Sequence, residues 1–328
     1  MVRIAYLGPE GTFTEAALLQ MTAAGLVPDH APEALQRLPL ESTVATLDAV
    51  RDGVADYACV PIENSIDGSV MPTLDSLAIG SALQVFAETT LDVAFSIVVK
   101  PVGKKGPGKV LGADDVRTLA AFPVAAAQVR QWLAAHLPGA ELRPAYSNAD
   151  AARQVAEGQA DAAVTSPLAA SHWGLAALAD GVVDEPNART RFVLAGLPGP
   201  PPARTGGDRT SVVLRIDNAP GALLAALAEF GIRGIDLTRI ESRPTRIELG
   251  TYLFFVDCLG HIDDGPVAEA LKALHRRCAD VRYLGSWPTG PVAGAGPPPV
   301  DEASRWLARL QAGKPDETQA SGSGEFIP

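Results

Sequence analysis

Cysteine and histidine are scarce in this chain, and neither residue type forms a metal-binding pattern. The 328 residues include three cysteines and five histidines. Cys59, Cys258 and Cys278 lie far apart with no CxxC spacing, and no two histidines have HxH or HxxxH spacing. We therefore expect reduced thiols in the core, no structural disulfide and no metal ion.

Long apolar runs are missing as well. No stretch reaches the roughly 18 uninterrupted apolar residues that indicate a membrane-spanning helix. The N-terminal "MVRIAYLGPEG" also lacks the long apolar run of a signal peptide. The sequence therefore predicts a cytoplasmic protein that has no membrane partner.

Basic residues are outnumbered by acidic ones. The chain has 27 Lys and Arg against 38 Asp and Glu, which gives a net charge of −11. Such a charge attracts neither nucleic acid nor an anionic membrane surface, so any anionic ligand must be held by local donors. The motifs GxxxxGK(S/T) and GxGxxG are also missing, so no nucleotide is indicated.

What is present is typical of a folded protein with more than one domain. Hydrophobic residues make up 47% of the sequence, and a chain of this length has room for two or three domains. The segment "LPGPPPARTGGD" at 197–208 has the composition of a linker. We predict folded segments at 1–196 and 209–286 and a largely disordered tail at 287–328, in which "DEASRWLARLQAG" favours one short helix.

A weak internal repeat divides the first folded segment. "VRDGVADYACVPIENS" at 50–65 aligns with "VAEGQADAAVTSPLAA" at 155–170. The matches are Gly53 with Gly158, Ala55 with Ala160, and Asp56 with Asp161. In both copies a helical pattern ends at glycine and a short apolar strand follows. We expect two α/β lobes with a ligand cleft at the carboxyl ends of their strands.

Two stretches of this segment place polar residues at strand ends. The loop "GPEG" leads into a helix with Thr12 or Thr14 as its cap, and it either binds an anion or is a plain capped turn. In "NARTRFVLAG" at 187–196, two arginines and a threonine lie directly before a buried strand. These residues either hold an anion or are solvated residues at the strand end.

Residues 209–285 have a different order of elements. "RTSVVLRI", "IDLTRIESRP", "LGTYLFFVDC" and "VRYLGSW" are strand patterns, and "APGALLAALAEFGI" and "GPVAEALKALHRRCA" are helical ones. Their order along the chain is βαββαβ, which is typical of ferredoxin-like domains. Because such a module has an exposed sheet edge, we expect it to pair with a copy of itself.

Five motifs occur in order along the chain: "GPEGTFTEAAL", "VPIENSIDGSV", "RTRF", "PGAL" and "ESRP". Together they resemble the monofunctional prephenate dehydratases that carry a C-terminal ACT regulatory domain. The resemblance covers residues 1–286. It implies an α/β fold, with a two-lobed catalytic domain like the periplasmic binding proteins and a ferredoxin-like ACT domain.

The resemblance also implies an activity. The family removes the ring hydroxyl and the ring carboxylate of prephenate, giving phenylpyruvate, CO2 and water in phenylalanine biosynthesis. Aromatisation drives this reaction, so it requires a donor to the departing hydroxyl and donors that hold a dianion. No cofactor is needed.

Site residues follow from the same resemblance. Thr190 matches a threonine that is essential in the family. The resemblance therefore implies that Thr190 donates a hydrogen bond to the leaving hydroxyl. Arg191 is the candidate for a bidentate clamp on a carboxylate, and Phe192 is expected in the core. Glu63 and Asn64 match a polar pair of the family and are predicted to be catalytic, with Glu63 or a water molecule as the alternative proton donor to the leaving hydroxyl. The further candidates are Gln128 for catalysis and Thr12, Ser65 and Ser69 for substrate binding, with a capped turn as the alternative for the serines.

The second module is expected to bind L-phenylalanine at an interface between two ACT domains, in a homodimer or homotetramer. The residues that match the family's effector-binding segments are Gly221, Ala222 and Leu223 of "PGAL" and Glu241, Ser242, Arg243 and Pro244 of "ESRP". As an alternative, these residues are merely the ends of a helix and a strand.

Two departures from the family pattern leave other functions open. Ala121 and Phe122 replace a serine and a histidine, and Phe95 replaces another histidine. The alternatives are an amino-acid sensor that has lost its activity, a prephenate decarboxylase that does not aromatise its substrate, and a solute-binding protein. Incubation with prephenate, followed by the absorbance of phenylpyruvate, distinguishes all of them.

Overall fold

The computed structural model describes residues 1–28, 35–101, 112–246, 248–289, 294, 296–297 and 302–314. These residues form two compact units, Met1–Pro200 and Pro201–Pro328. The division falls inside the Pro- and Gly-rich segment 197–208.

The first unit is rich in both strands and helices. Its strands are β1 (Val2–Leu7), β2 (Leu35–Leu40), β3 (Tyr57–Asn64), β4 (Gly68–Ser69), β5 (Gln84–Asp92), β6 (Phe95–Val99), β7 (Thr118–Ala121), β8 (Glu141–Pro144), β9 (Ala162–Thr165), β10 (Ala176–Val182) and β11 (Arg189–Gly196). Its α-helices are α1 (Phe13–Ala23), α2 (Thr43–Arg51), α3 (Met71–Ala78), α4 (Pro123–Gln128), α5 (Arg130–His136), α6 (Asn148–Ala156) and α7 (Pro167–His172).

These elements form two lobes, each built on its own sheet. In the first lobe the strand order is β2-β1-β3-β11-β5, with β4 paired to β3, and in the second lobe it is β10-β6-β9-β7-β8. The chain crosses from the first lobe to the second after β5 and returns after β10. This architecture confirms the predicted domain of two α/β lobes.

Strand directions bring the ends of several strands to one edge of each sheet. β1 and β3 are parallel, so their carboxyl ends lie at the same edge, and the N-terminal end of the antiparallel β11 lies there too. In the second sheet, the carboxyl ends of the parallel β7 and β9 lie beside the start of β6, because Thr165 pairs with Ser96. Ligands of α/β sheets bind at such an edge.

The internal repeat is a structural duplication. Helices α2 and α6 are each capped by a serine, since Ser42 Oγ accepts from the N–H of the third residue after it at 3.1 Å and Ser147 Oγ does the same at 3.0 Å. The strands that follow are each preceded by an aspartate, Asp56 or Asp161, whose backbone N–H donates to a neighbouring strand. The two copies therefore agree in their caps and turns as well as in their glycines.

The core of the first lobe lies between its sheet and α1. Ile4 and Tyr6 of β1 and Leu18 of α1 are fully buried, and Phe192 of β11 is 2% exposed, as predicted for a core residue. Alternate residues of a strand point to the same side. Thr190, two positions before Phe192, therefore lies on the α1 side of the sheet.

The second unit contains β12 (Asp208–Arg215), α8 (Ala222–Gly231), β13 (Leu237–Pro244), β14 (Tyr252–Leu259), α9 (Gly265–Arg277) and β15 (Asp280–Pro288). The strand order is β13-β14-β12-β15, and every pair is antiparallel. This is the predicted βαββαβ fold, with β13 at one edge of the sheet. Val212, Val256 and Leu274 are among the buried residues of its core.

The tail begins with the end of β15, which reaches Pro288, and it contains the predicted short helix, α10 (Glu302–Gln311). The predicted disorder concerns residues that lie mostly outside the described ones. Within the described ranges, no helix has both the length and the apolar composition that a bilayer crossing requires.

Candidate active site

Thr190 lies where the strand ends of the first sheet meet. It is the second residue of β11, is 9% exposed, and pairs in register with Asn64, the last residue of β3. The Nδ2 atom of Asn64 is 2.9 Å from Thr190 Oγ1. The structure thus joins two of the predicted catalytic residues by a direct hydrogen bond.

The direction of this hydrogen bond follows from the other contacts of Asn64. Its Oδ1 accepts from the backbone N–H groups of Ile66 at 2.8 Å and Asp67 at 3.0 Å, so a flipped amide would lose both hydrogen bonds. Nδ2 therefore faces Thr190, and an amide nitrogen only donates. Because Thr190 Oγ1 accepts from Asn64, its own hydrogen remains available for another acceptor.

Arg191 faces the opposite side of the sheet, since successive strand residues alternate. Its Nη2 lies 3.0 Å from Glu63 Oε2, and its Nη1 lies 3.2 Å from Glu88 Oε2. Arg191 is 8% exposed and Glu88 is 6% exposed. The predicted pair of Glu63 and Asn64 is therefore divided, with Asn64 beside Thr190 and Glu63 beside Arg191.

The predicted serines follow β3, with Ser65 in the turn between β3 and β4 and Ser69 at the end of β4. Ser65 Oγ donates to the carbonyl of Asn187 at 3.0 Å and accepts from the N–H of Arg189 at 2.9 Å. It links the turn after Asn64 to the start of β11. This is the kind of contact expected if Ser65 stabilises a turn, which was the alternative to substrate binding. Ser69 lies in β4, paired in register with Glu63.

The loop before α1 is a capped turn. Thr12 Oγ1 donates to the carbonyl of Leu7 at 3.0 Å and accepts from the N–H of Glu15 at 3.3 Å. Glu15 Oε2 in turn accepts from the N–H of Gly11 at 2.6 Å. In this arrangement the hydroxyl hydrogen of Thr12 is directed to the carbonyl of Leu7.

Gln128, from the second lobe, lies beside the returning crossover. Its backbone carbonyl accepts from the N–H of Asp184 at 2.7 Å, in the segment that leads to β11. Its side-chain Oε1 is buried and has no hydrogen-bond partner among the described residues. Because buried acceptors are normally bonded, this oxygen is suited to a donor from a ligand or a water molecule.

The three cysteines are free thiols, with Cys59 and Cys258 buried and Cys278 half-buried. The described part of the chain holds no group of three or more His, Cys, Asp or Glu side chains arranged for a metal ion. Burial raises the pKa of Cys258 to about 12 and also raises the pKa of Cys59. Burial and the nearby carboxylates of Glu15 and Glu10 raise the pKa of Tyr6 as well.

Comparison with known proteins identifies the family. The family model "PDT: Prephenate dehydratase" matches residues 4–198. The chain belongs to the prephenate dehydratase family. The "ACT domain" model matches residues 210–276. The chain is 83% identical over 318 residues to the prephenate dehydratase of Mycobacterium tuberculosis strain H37Rv, covering 97% of each chain. It is 80% identical over 328 residues to that of Mycobacterium leprae strain TN, covering 99% of each.

A solved prephenate dehydratase has the same fold. The prephenate dehydratase of Arthrobacter aurescens, whose crystal structure is in complex with L-Phe, has a sequence 38% identical to this chain. The two structures superpose with a TM-score of 0.80. The match covers 98% of this chain and all of that one. The predicted family and fold class are therefore confirmed.

The departures from the usual prephenate dehydratase pattern are part of the second lobe's core. Phe95 is 2% exposed, and its ring packs edge-on against Phe13 of α1, with centroids 5.7 Å apart. Ala121 is 1% exposed, and Phe122 packs against the same cluster. Apolar side chains thus pack in this core at positions where the family pattern has a serine or a histidine.

The predicted effector residues lie in two places in the ACT domain. Ala222 and Leu223 line a cavity of about 90 Å³ together with residues 216–219, 250–252 and 254. Gly221, which precedes α8, has a φ of +77°, a left-handed conformation that suits glycine. Glu241–Pro244 lie in the edge strand β13, and Ser242 and Pro244 pair with Phe254 and Tyr252 of the cavity wall.

Glu88 was not predicted as a site residue from the sequence. This residue lies in β5, holds Arg191 from the side opposite to Glu63, and is buried. One signal was available, because a single carboxylate interrupts the otherwise uncharged "QVFAETTL". A buried charge needs a charged partner, but the sequence alone did not show which arginine it was.

Proposed function

We propose that the chain converts prephenate to phenylpyruvate, CO2 and water, with Thr190 as the donor to the departing hydroxyl. The observation that carries this proposal is the hydrogen bond from Asn64 Nδ2 to Thr190 Oγ1. It fixes the oxygen as an acceptor and leaves the hydroxyl hydrogen for the substrate. The family membership supports the same substrate.

The chemistry requires little more than this donor. The bond between the ring and its carboxylate breaks and releases CO2, and its electron pair completes the aromatic ring as the carbon–oxygen bond of the hydroxyl breaks. The departing oxygen takes up a proton and leaves as water. A hydrogen bond that strengthens as this oxygen gains negative charge lowers the barrier.

The second lobe supplies a further contact in this proposal. Gln128 has a buried oxygen that lacks a partner among the described residues, and it lies beside the crossover that leads to Thr190. We assign Arg191 and Glu63 to positioning, because their ion pair lies on the other side of the sheet.

The test is Thr190→Val, which keeps the shape and deletes the hydroxyl. A positioned donor contributes about 10²–10⁴-fold, so kcat should fall by that factor. Thr90→Val is the control, because Thr90 is exposed and lies on the neighbouring strand β5. Wild-type turnover by Thr190→Val would contradict the assignment. A product other than phenylpyruvate from the wild type would favour the non-aromatising decarboxylase.

For the second module, the proposal is inhibition by L-phenylalanine in a cytoplasmic homo-oligomer. Ala222 and Leu223 line a cavity beside the edge strand β13, where a second ACT domain can pair. Ala222→Phe fills this cavity and should raise the phenylalanine concentration for half-inhibition about tenfold or more, with basal turnover unchanged. Leu224→Phe, at a position 74% exposed in the same helix, is the matched control.

A further inference from the structure

Ser166 connects the two lobes at a point outside both crossovers. It lies between β9 and α7 in the second lobe, and its Oγ donates to the carbonyl of Gly11 in the first lobe at 2.5 Å. Ser166 is 1% exposed. The hydrogen bond is therefore shielded from water, which would otherwise compete for both groups.

The same hydroxyl also caps α7. Ser166 Oγ accepts from the N–H of Ala169 at 3.1 Å, so its single hydrogen is directed to Gly11. Gly11 is held from the other side too, since its N–H donates to Glu15 Oε2 at 2.6 Å. The loop before α1 is thus anchored to both lobes.

Packing around this hydrogen bond shows that the lobes meet closely here. A Cβ built on Gly11 would lie 2.9 Å from the Cβ of Ala169, so only glycine allows this approach. Next to it, the rings of Phe13 and Phe95 bring α1 against β6. Beside these apolar contacts, Ser166 supplies a buried hydrogen bond between the lobes.

We infer that Ser166 is a positioning residue, which holds the lobes closed over the active site through its hydrogen bond to Gly11. The inference rests on the proposed activity. Gly11 lies at the edge of the first sheet that carries Thr190, and Ser166 lies at the facing edge of the second sheet. The hydrogen bond forms when the two edges meet, so it favours the closed arrangement that surrounds a substrate.

The experiment compares Ser166→Gly with Ser147→Gly. Both serines cap a helix of the second lobe, and glycine replaces a serine cap at little cost. Only Ser166 also bonds to the first lobe. Ser166→Gly should lower kcat/KM for prephenate about two- to tenfold, the effect of one net hydrogen bond. Ser147→Gly should leave kcat/KM unchanged. Ser166→Thr, which keeps the hydroxyl, should have the kcat/KM of the wild type.

Amide hydrogen exchange gives a readout that does not depend on activity. Exchange of residues 8–14 should become faster in Ser166→Gly but not in Ser147→Gly. Wild-type kcat/KM together with unchanged exchange in Ser166→Gly would overturn the inference, and so would equal losses in both glycine variants. A wild-type protein that makes no phenylpyruvate would instead count against the proposed function, while the exchange comparison still tests the contact between the lobes.

Discussion

The hydroxyl hydrogen of Thr190 is available to a substrate because Asn64 donates to the hydroxyl oxygen. Asn64→Asp keeps the size of the side chain but removes both donor hydrogens. Thr190 would then donate to the carboxylate, and its hydrogen would point away from the substrate. We expect kcat to fall by about 10²-fold or more, as for loss of a catalytic donor. Steady-state kinetics with prephenate check this, and activity near wild type would show that the orientation of Thr190 is unimportant.

Arg191 presents a different case, because it is buried between two carboxylates. Removal of one partner from a buried ion pair costs about 3–5 kcal/mol. We expect Arg191→Met to lower the free energy of unfolding by an amount in that range, measured by urea denaturation. Arg189→Met is the control, since its ion pair with Asp92 is exposed and such pairs contribute about 1 kcal/mol or less. Unchanged stability with a raised KM would instead support a clamp on the substrate carboxylate.

At the scale of elements, the two copies of the helix–turn–strand repeat share an aspartate with a stabilised carboxylate. Burial raises the pKa of Asp161, but hydrogen bonds from Thr118 and the N–H of Arg117 outweigh it and leave the pKa below its usual value. Hydrogen bonds from Arg3 likewise lower the pKa of Asp56. Both turns are therefore held by ionised groups.

This arrangement predicts a loss of stability in acid. A carboxylate whose folded-state pKa is depressed contributes stability above its unfolded pKa of about 3.9, and that contribution disappears as the pH falls through the folded pKa. Asp161→Asn should therefore reduce the dependence of stability on pH below about 4, measured by urea denaturation at several pH values. Asp52→Asn, which changes an exposed aspartate beside the same turn of the first copy, is the control. An equal effect of both changes would contradict the prediction.

At the scale of the whole molecule, the connection between the two units is short. Gly199 donates to Gln84 Oε1 of the first unit at 3.3 Å, and the carbonyl of Pro202 lies 3.0 Å from His261 Nε2 of the second unit. Only the two residues Pro200 and Pro201 lie between these anchored positions. Both are prolines, whose φ is restricted, so these two residues of the predicted linker 197–208 have few backbone conformations.

Truncation after Pro200 tests how function is divided between the units. Because each unit is compact by itself, residues 1–200 should fold and retain turnover of prephenate. Inhibition by phenylalanine should disappear, since an effector acts only through a domain that binds it. Turnover measured with and without phenylalanine checks this. A truncated protein that is inhibited at the same concentration as the full chain would place the effector site in the first unit.

Much of the architecture was predictable from local patterns. The order of strands and helices in the ACT domain follows from hydrophobic periodicity and from glycine and proline at the element ends. The duplication was visible as Gly53 and Gly158, with Asp56 and Asp161 three residues after them. The matching serine caps, Ser42 and Ser147, lie outside the compared segments and became evident only in the structure.

The sequence by itself determined the family, the two α/β lobes and the ACT domain, because these depend on residue types at short spacings. Only the tertiary structure decided which neighbours act together. Thr190 and Arg191 are adjacent in sequence, yet strand alternation directs one to Asn64 and the other to Glu63 and Glu88. The partners come from strands more than 100 residues apart, and their pairing register, which no local pattern specifies, sets which side chains meet.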